Sequence, residues 1–338
     1  MKKITLITDA WYPQINGVVT TWSHVCDELR EQGFTFEVIH PDLFRTFQAP
    51  KYPEICLAIL PGRKLRQMLE EQQPDAIHIA TEGPLGMAGR AYCRKRRLPF
   101  TTSYHTKFPE YLRTYFEIPE WPTYRFLKWF HGAAERTLVT TESMRTELVA
   151  EGFDGKQLIT WTRGVKLDRF KVRPGEALPL AHLPKPIFLY CGRVAPEKNL
   201  EAFVSLDLPG SKVLVGDGPA LKDLQRHYPD AHYVGYKTGD DLARHVASAD
   251  VFVFPSLTDT FGVVMLEAMA CGLPVAAFPV TGPIDVITDP NVGVLDHDLK
   301  TACLRALDLD PADARRFAEQ FTWERCANMV RDNLAWTH

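Results

Sequence analysis

Two carboxylates stand close together in the segment from Ser256 to Phe278, SLTDTFGVVMLEAMACGLPVAAF. Asp259 precedes an apolar helical pattern and Glu267 lies within it, with seven residues between the two acids. Carboxylates accept hydrogen bonds, which suits hydroxyl-rich ligands such as a ribose or a hexose. An acid inside an apolar helix is costly to bury without partners. With Glu267 two turns into the helix, a ligand on the helix N-terminus would meet both acids. The alternative is an ordinary helix with one half-exposed glutamate.

Two cations, Arg193 and Lys198, lie five positions apart in a second segment, GRVAPEKN. Arginine offers a planar fork to a phosphate, and lysine offers a point charge. Gly192 turns the chain at the start of this segment, and Asn199 is predicted to cap the helix that follows. The pattern therefore predicts a diphosphate site. The alternative is a solvated loop that carries an ordinary charge pair.

Strands and a helix must position the two acids. The β-branched and aromatic run Val251–Phe254 predicts a buried strand, Phe261–Cys271 has apolar residues at helical spacing, and Pro274–Phe278 predicts the next strand. The first N–H groups of a helix have no partner within it and can bind an anion. We expect this role for the backbone of three residues, Phe261, Gly262 and Val263.

In the N-terminal half, strand and helix patterns alternate, which predicts a parallel sheet with ligands at the carboxyl ends of its strands. Gly17 lies between the strand Lys3–Thr8 and the helix Val18–Leu29, where glycine lets the backbone approach a phosphate. A plain tight turn is an equally good explanation of this glycine. His105 follows the strand Pro99–Tyr104. A single histidine of this kind is more often structural than functional.

Two further loops follow predicted strands in the C-terminal half. Gly216-Asp217-Gly218-Pro219 comes after one strand, and Tyr236 begins the loop after the next. The glycine pair superficially matches a dinucleotide fingerprint. Because Leu221 stands where the third glycine is required, that interpretation is poor.

The chain of 338 residues is long enough for about two domains. A segment with four prolines, Lys171–Pro186, predicts the linker between them. We therefore divide the chain into an N-terminal Rossmann-like domain at 1–170, the linker at 171–186, a second Rossmann-like domain at 187–310 and a helical segment at 311–338. The fold class is α/β.

Composition bounds the cellular setting and the partners. The seven cysteines are scattered without a CxxC pair, which favours a reduced, cytoplasmic protein. No apolar stretch is long enough to span a membrane. A net charge of −3 without a concentrated basic surface argues against a nucleic-acid partner.

The stretch TDTFGVVMLEAMACGLPV resembles the acid-x₇-acid signature of retaining glycosyltransferases of family 4, which have the GT-B fold. The resemblance implies two facing Rossmann-like domains and a C-terminal helix that crosses back to the N-terminal domain. GRVAPEKN is similar to the pyrophosphate motif of the family, and TDAWYPQINGVVTT to its donor-pyrophosphate loop, which contains Gly17. One position departs from the pattern, because the first acid is usually glutamate and here is Asp259.

The resemblance implies roles for individual residues. His105 lies in a Tyr-His-Thr motif whose histidine contacts the transferred sugar in relatives. Glu267 would hold the donor ribose and Asp259 the transferred sugar, while Arg193 and Lys198 would stabilise the leaving phosphate. The remaining donor-site positions by this resemblance are Gly192, Gly216, Gly218 and Tyr236, the last beside the nucleotide base.

The implied activity is retaining transfer of a mannose-like or glucose-like hexose from a GDP- or UDP-linked sugar to a hydroxyl acceptor, with neither a metal nor a cofactor. The look-alikes are GDP-mannose-dependent α-mannosyltransferases and bacterial glycolipid synthases, so a membrane lipid or glycolipid is the expected acceptor. Two alternatives remain. One is a sugar-nucleotide 2-epimerase of the same fold, and the other is a non-catalytic protein that binds nucleotide sugars.

A basic segment of the N-terminal half gives evidence on where the acceptor lies. Trp121–Val139 is predicted as one helix, with Arg125, Lys128 and Arg136 along one side and aromatic residues at its edge. Together with the four cations Arg94–Arg97, this pattern is typical of a helix lying on an anionic membrane surface, here the inner leaflet. The alternative is that the aromatic residues pack on the sheet and that the acceptor is a soluble sugar.

Overall fold

The computed structural model describes residues 2–14, 16–49, 52–105, 107, 109, 113, 117 and 119–337. The chain divides into two compact units. The first unit comprises Met1–Arg163 and Trp323–His338, and the second comprises Gly164–Thr322. The segment 171–186, predicted as the linker, lies within the second unit.

Among the described residues, the first unit contains a six-stranded sheet in which all neighbouring strands are parallel. An antiparallel hairpin of β3 and β4, which the sequence did not predict, lies outside that sheet. The strands are β1 Lys3–Ile7, β2 Thr35–Ile39, β3 Thr46–Ala49, β4 Tyr52–Ala58, β5 Ala76–Ile79, β6 Thr101–Tyr104, β7 Arg136–Val139 and β8 Leu158–Thr160. Their order in the sheet is β2-β1-β5-β6-β7-β8.

The helices of the first unit cover its parallel sheet. Among the residues described before 164, they include α1 Gly17–Glu31, α2 Gly62–Gln72, α3 Pro84–Arg96, α4 Glu120–His131 and α5 Glu142–Ala150. The prediction of one helix from Trp121 to Val139 is wrong, because α4 ends at His131 and the chain enters β7 at Arg136. Pairing of β7 with β6 supplies the backbone hydrogen bonds that a longer helix would otherwise have made.

The second unit repeats this architecture. Its strands are β9 Ile187–Cys191, β10 Ser211–Val215, β11 His232–Gly235, β12 Val251–Phe254, β13 Val275–Ala277 and β14 Gly293–Leu295, all parallel, in the order β11-β10-β9-β12-β13-β14. Its helices are α6 Glu201–Val204, α7 Leu221–His227, α8 Gly239–Val246, α9 Val263–Ala270, α10 Pro283–Val286, α11 Leu299–Ala306 and α12 Pro311–Ala318. Two parallel sheets confirm the predicted α/β class with two Rossmann-like halves.

In each sheet, the order of strands reverses between two central neighbours. These neighbours are β1 and β5 in the first unit and β9 and β12 in the second. Open parallel sheets bind ligands at such reversals, beyond the carboxyl ends of the strands. The strand β12 is fully buried, which explains its continuous apolar run. Each unit therefore offers one crevice whose position is fixed by topology.

The C-terminal segment forms two helices rather than one. The helix α12 packs against α9 in the second unit, and α13, Trp323–Asn333, packs against α1 in the first unit. The buried side chains of α13 include Trp323, Cys326 and Val330, which share a core with Trp22 of α1. The last helix is thus an integral part of the N-terminal unit.

Candidate active site

In the second unit, the loops that follow β9 and β12 meet at the strand reversal. They carry the two cations and the first acid that the sequence singles out. Lys198 donates to both carboxylate oxygens of Asp259, at 2.6 and 2.8 Å. Their side chains are 23% and 22% exposed. Two candidate residues 61 positions apart are therefore paired, in a place that solvent can reach.

A backbone contact holds these two loops together. Asn199 follows a 3₁₀ turn, Pro196–Lys198, with a positive φ of 52°, and its side-chain amide donates to the carbonyl of Pro255 at 3.1 Å. The prediction that Asn199 caps the next helix is wrong, because Leu200 occupies that position before α6. Its amide instead connects the loop of Lys198 to the loop of Asp259.

Arg193 lies in the same loop as Lys198 and is exposed. The hydroxyl of the buried Tyr190 donates to the carbonyl of Arg193 at 2.9 Å, which fixes the backbone at this point. The assignment of the Arg193 guanidinium to a phosphate stays a prediction.

Three glycines let neighbouring loops approach closely. A Cβ atom on Gly216 would lie 1.9 Å from the carbonyl oxygen of Gly192, and one on Gly218 would lie 2.3 Å from that of Val194. The amide of Val194 also donates to the carbonyl of Asp217 at 2.8 Å. Gly192, Gly216 and Gly218 therefore have a packing reason of their own, and their contact with a donor stays a prediction.

The helix α9 begins at Val263 rather than at Phe261. Gly262 precedes it with a φ of +84°, a conformation that glycine adopts without strain. A side chain there would also collide with Met265 and Phe254. The ring of Phe261 is buried in the core, so only its backbone is available to the loop. The sequence thus predicted this helix correctly, but the helix starts two residues later than predicted.

Glu267 lies about one turn into α9, rather than the two turns that the sequence suggested. It is half-buried, and burial raises the pKa of its carboxyl to about 7, with Arg169 acting in the opposite direction. Within the part of the chain that the structure describes, no residue makes a hydrogen bond to this carboxyl. A half-buried acceptor without a partner gains from a ligand that brings hydroxyl groups.

Tyr236 follows β11 and is 52% exposed. Its position at the carboxyl end of an edge strand leaves the ring accessible. Stacking against a nucleotide base stays a prediction for this residue.

In the first unit, His105 follows β6 within a group of aromatic and polar side chains. The indole N–H of Trp22 donates to His105 Nε2 at 2.8 Å, and Ser103 Oγ lies 2.8 Å from the same nitrogen. Arg163 Nη2 lies 3.4 Å from His105 Nδ1. Burial and the nearby Arg163 lower the pKa of His105 well below its usual value, so the ring is neutral. Thr106 of the Tyr-His-Thr motif lies outside the described residues.

The start of α1 is capped by the protein itself. The side chain of Asn16 accepts from the amides of Val18 and Val19, both at 3.0 Å. Gly17 lies in open space, because nothing is within 4 Å of a Cβ placed on it. The prediction that a diphosphate contacts Gly17 remains, and such a ligand would compete with Asn16.

Asp9, which the sequence analysis did not single out, occupies the strand reversal of the first unit. Its buried carboxyl accepts from the hydroxyl of Thr81 and from the amides of Leu85 and Gly86. Burial raises the pKa of Asp9 despite these bonds. The acid caps α3 from across the sheet, and the glycine-rich turn before that helix is therefore occupied by a protein group.

The basic segment presents a different set of residues from the predicted one. The exposed side of α4 carries two aromatic and two cationic side chains, here called the α4 face: Trp121, Arg125, Lys128 and Trp129. The tryptophans are 68% and 50% exposed. Arg136 does not belong to this face, because it lies in β7 and donates to the carbonyl of Asn333.

The end of α3 adds positive charge. Arg94, Lys95 and Arg97 are exposed there, while Arg96 forms an ion pair with Glu70. The guanidinium of Arg90 stacks over Trp129 at 3.6 Å from the ring centroid and donates to the carbonyl of that residue. Arg90 of α3 is thus in direct contact with the α4 face.

The described residues contain neither a metal-binding cluster nor a helix that could span a membrane. No three His, Cys, Asp or Glu side chains among them are grouped so that they could hold a metal ion. None of their helices is long and apolar enough to cross a membrane.

Comparisons with known proteins agree with this geometry. Residues 15–169 match the family model "Glycosyltransferase Family 4", and residues 185–309 match "Glycosyl transferases group 1". A GDP-mannose-dependent alpha-mannosyltransferase of Mycobacterium tuberculosis is 32% identical over 87% of this chain and 83% of its own length. An alpha-monoglucosyldiacylglycerol synthase of Streptococcus pneumoniae is 26% identical over 91% of this chain and 79% of its own.

A solved structure shares the fold over nearly the whole chain. Sucrose-phosphate synthase from Thermosynechococcus elongatus superposes with a TM-score of 0.76, at 21% identity, over 98% of both chains. At this identity the likeness establishes the architecture and leaves the substrates open.

Proposed function

The chain belongs to glycosyltransferase family 4, and we propose that within this family it transfers a hexose, mannose-like or glucose-like, from a GDP- or UDP-linked sugar to a lipid hydroxyl with retention of configuration. The observation that carries the proposal is the arrangement at the β9–β12 reversal. There a cation and an acid are paired within reach of solvent, and α9 holds a second acid that has no hydrogen-bonding partner among the described residues.

The donor replaces contacts that the protein makes with itself. Its diphosphate attracts Lys198, and the hydroxyl groups of its hexose attract Asp259, so the ligand takes up both halves of the ion pair. Arg193 binds the same diphosphate with a planar fork. The two cations then stabilise the negative charge that develops on the leaving phosphate.

Glu267 holds the ribose of the donor. A carboxylate accepts hydrogen bonds from two vicinal hydroxyls. Burial raises the pKa of Glu267, and ribose hydroxyls that donate to its carboxyl would favour the ionised form. This role requires only that the ribose reach the first turn of α9.

The chemical step exchanges one bond at the anomeric carbon for another on the same face of the sugar. The bond from that carbon to the phosphate oxygen breaks, and a bond to the acceptor oxygen forms. The leaving phosphate takes the proton of the acceptor hydroxyl. His105, neutral at physiological pH, donates a hydrogen bond to the transferred sugar in this proposal. The side-chain cations supply the charge stabilisation, and no metal is required.

The acceptor side of the proposal rests on the α4 face and on the cations of α3. Exposed tryptophans favour the interfacial region of a bilayer, and each cation near an anionic surface contributes about 1 kcal/mol. One relative is, by its name, a synthase of a glycolipid, alpha-monoglucosyldiacylglycerol. We therefore place the acceptor in a membrane and the α4 face on its anionic surface.

A donor panel tests the activity. The protein is incubated with GDP-mannose, UDP-glucose or UDP-galactose and with a bacterial lipid extract, and released nucleoside diphosphate is measured with and without EDTA. Release that depends on lipid, an α-linked product from an α-linked donor and indifference to EDTA support the proposal.

Other outcomes identify the alternatives. Conversion of the donor to its isomer without lipid would indicate a 2-epimerase. Binding of the donor without turnover would indicate a non-catalytic protein. Activity that EDTA abolishes and Mg²⁺ restores would contradict the metal-independent mechanism.

A further inference from the structure

We propose that Trp22 is a positioning residue that holds His105 in the neutral tautomer whose proton is on Nδ1. Both residues belong to the first unit, with Trp22 on α1 and His105 after β6. The inference rests on the proposed function, because it specifies how His105 would present itself to a sugar.

The contact with Trp22 decides which nitrogen carries the proton. An indole N–H can only donate, and a neutral imidazole has one accepting nitrogen. Trp22 Nε1 lies 2.8 Å from His105 Nε2, well within hydrogen-bonding distance. A proton on Nε2 would place two donors against each other at that separation. Nε2 is therefore the acceptor, and Nδ1 carries the proton.

The other neighbours do not reverse this assignment. Ser103 lies 2.8 Å from Nε2, and because a hydroxyl can donate, it shares the lone pair of an unprotonated Nε2 with Trp22. Arg163 is also a pure donor and lies near Nδ1, at the longer distance of 3.4 Å. A neutral imidazole ring has one accepting lone pair, which Trp22 requires on Nε2 and Arg163 requires on Nδ1. The contact made by Trp22 is shorter and is therefore the stronger one.

Burial makes the hydrogen bond from Trp22 effective. Both the indole of Trp22 and that of Trp161 are fully buried, and the two rings lie edge-on to His105 with centroids 6.2 and 5.8 Å away. Among the described residues, the buried Trp22 N–H has no other hydrogen-bond acceptor. The functional consequence is that His105 offers an N–H at Nδ1 and donates to a sugar oxygen rather than acting as a base there.

The resting protein tests the tautomer directly. The ring nitrogens of ¹⁵N-histidine-labelled protein are observed by NMR without any substrate, and a His105→Gln variant identifies the His105 signals. We expect Nε2 to have the shift of an unprotonated nitrogen and Nδ1 that of a protonated one. A protonated Nε2 in the wild type would overturn the proposal, even if every tryptophan variant failed to fold.

Trp22→Phe removes the indole N–H while keeping an aromatic ring. The His105 signals should then shift toward a mixture of tautomers. Trp161→Phe is the matched control, because it removes an equally buried indole N–H that has no hydrogen-bond partner among the described groups. We expect its spectrum to match the wild type. An unchanged His105 spectrum in Trp22→Phe would also overturn the proposal.

Kinetics separates this proposal from the role of His105. With an active donor, Trp22→Phe should lower kcat about tenfold, the effect of losing one well-placed hydrogen bond, with less change in the donor KM. If the tautomer changes while kcat does not, Trp22 still positions the ring, and it is the contact of His105 with the sugar that fails.

Discussion

At the scale of single residues, the Lys198–Asp259 ion pair is the contact that the proposed donor site depends on. The two side chains are about one-fifth exposed, so solvent screens their attraction and the pair adds little to stability. A ligand that carries phosphates and hydroxyls can therefore separate them at small cost. The shorter acid at position 259 reaches the lysine with both of its carboxylate oxygens.

Removal of either cation tests the phosphate clamp. Lys198→Ala and Arg193→Ala should each reduce turnover on the order of 10²-fold or more, because the leaving phosphate loses charge stabilisation. Thermal unfolding should change little, since both residues lie in a loop. Arg226→Ala, which removes an exposed cation of α7, is the control. Turnover at the wild-type level in either clamp variant would show that the phosphate binds elsewhere.

Substitution of the two acids should change different kinetic constants. Glu267→Gln weakens acceptance from the ribose and should raise the donor KM with a smaller effect on kcat. Asp259→Asn should lower kcat, because it also unbalances the charge on Lys198. Initial rates over a range of donor concentrations distinguish the two patterns. The opposite pattern, a lower kcat in Glu267→Gln and a higher donor KM in Asp259→Asn, would mean that the roles of the two acids are exchanged.

Glu267 should also make the stability of the second unit depend on pH. Its pKa is about 7 in the folded protein and near 4.5 in the unfolded chain, so the folded state holds a proton that the unfolded state releases. The free energy of unfolding should therefore fall as pH rises from about 4.5 to 7, by ~2 kcal/mol after allowance for partial exposure.

Urea unfolding at pH 5 and pH 8 measures this dependence. In Glu267→Gln, the free energy of unfolding should not show the fall that is due to Glu267. The variant should therefore be more stable than the wild type at pH 8. Equal pH dependence in the wild type and the variant would indicate that the carboxyl is ionised in the folded state at both pH values.

The candidates on these two loops could be found from the sequence because the strands before them are unambiguous. Ile187–Cys191 and Val251–Phe254 are continuous apolar runs, so the residues after them must lie at the carboxyl edge of a sheet. Trp22 could not be found this way. Its spacing in α1 marks it as a core residue, which it is, and only the tertiary fold brings its N–H to a histidine 83 positions away.

At the scale of elements, the boundary of α4 changes the membrane hypothesis. The sequence from Gly132 to Arg136 contains two alanines and a glutamate and continues a helical pattern. Tertiary structure overrides it, because the buried ring of His131 contacts Thr102 on β6 at 2.9 Å and the chain then joins the sheet. The observed α4 face therefore lacks Arg136 and includes Trp121 and Trp129. The local sequence pattern alone could not show that these two tryptophans are exposed.

The α4 face should bind anionic vesicles. We expect sedimentation with phosphatidylglycerol-containing liposomes but not with pure phosphatidylcholine, and a decline as salt is added. An Arg125→Glu/Lys128→Glu double variant should weaken binding, and so should Trp121→Ala/Trp129→Ala. Lys222→Glu/Arg226→Glu on α7 makes the same change of charge on the second unit and should bind normally. Equal loss in both charge variants would indicate non-specific attraction.

At the scale of the whole molecule, the sequence predicted the sheet topology better than it predicted where individual strands and helices begin and end. Alternating strands and helices imply two parallel sheets, and both are present, each with a reversal of strand order between two central strands. The hairpin of β3 and β4 has no counterpart in the prediction, since its short strands lack a clear alternating pattern. The separation of α12 from α13 depends on which core each helix enters, which their periodicity does not encode.

The first unit should depend on its last helix. Val330→Ala removes apolar contacts from a core that also contains Leu29 and Trp22, and we expect a loss of about 2 kcal/mol in the stability of that unit. Hydrogen exchange at the amides of β1 and β5 reports the change. Exchange in β9 and β12 should be unaffected. Glu324→Ala on the exposed side of the same helix is the control.

The division of the chain has a consequence for synthesis on the ribosome. Domains usually fold in the order in which they are made. Here the N-terminal unit is discontinuous, because Trp323, Cys326, Val330 and Leu334 complete its core. The contiguous unit, Gly164–Thr322, has all of its residues at an earlier moment and can finish first. Until residue 334 emerges, the nascent chain exposes one side of α1 to solvent, so chaperone capture during translation should concentrate on the segment that was made first.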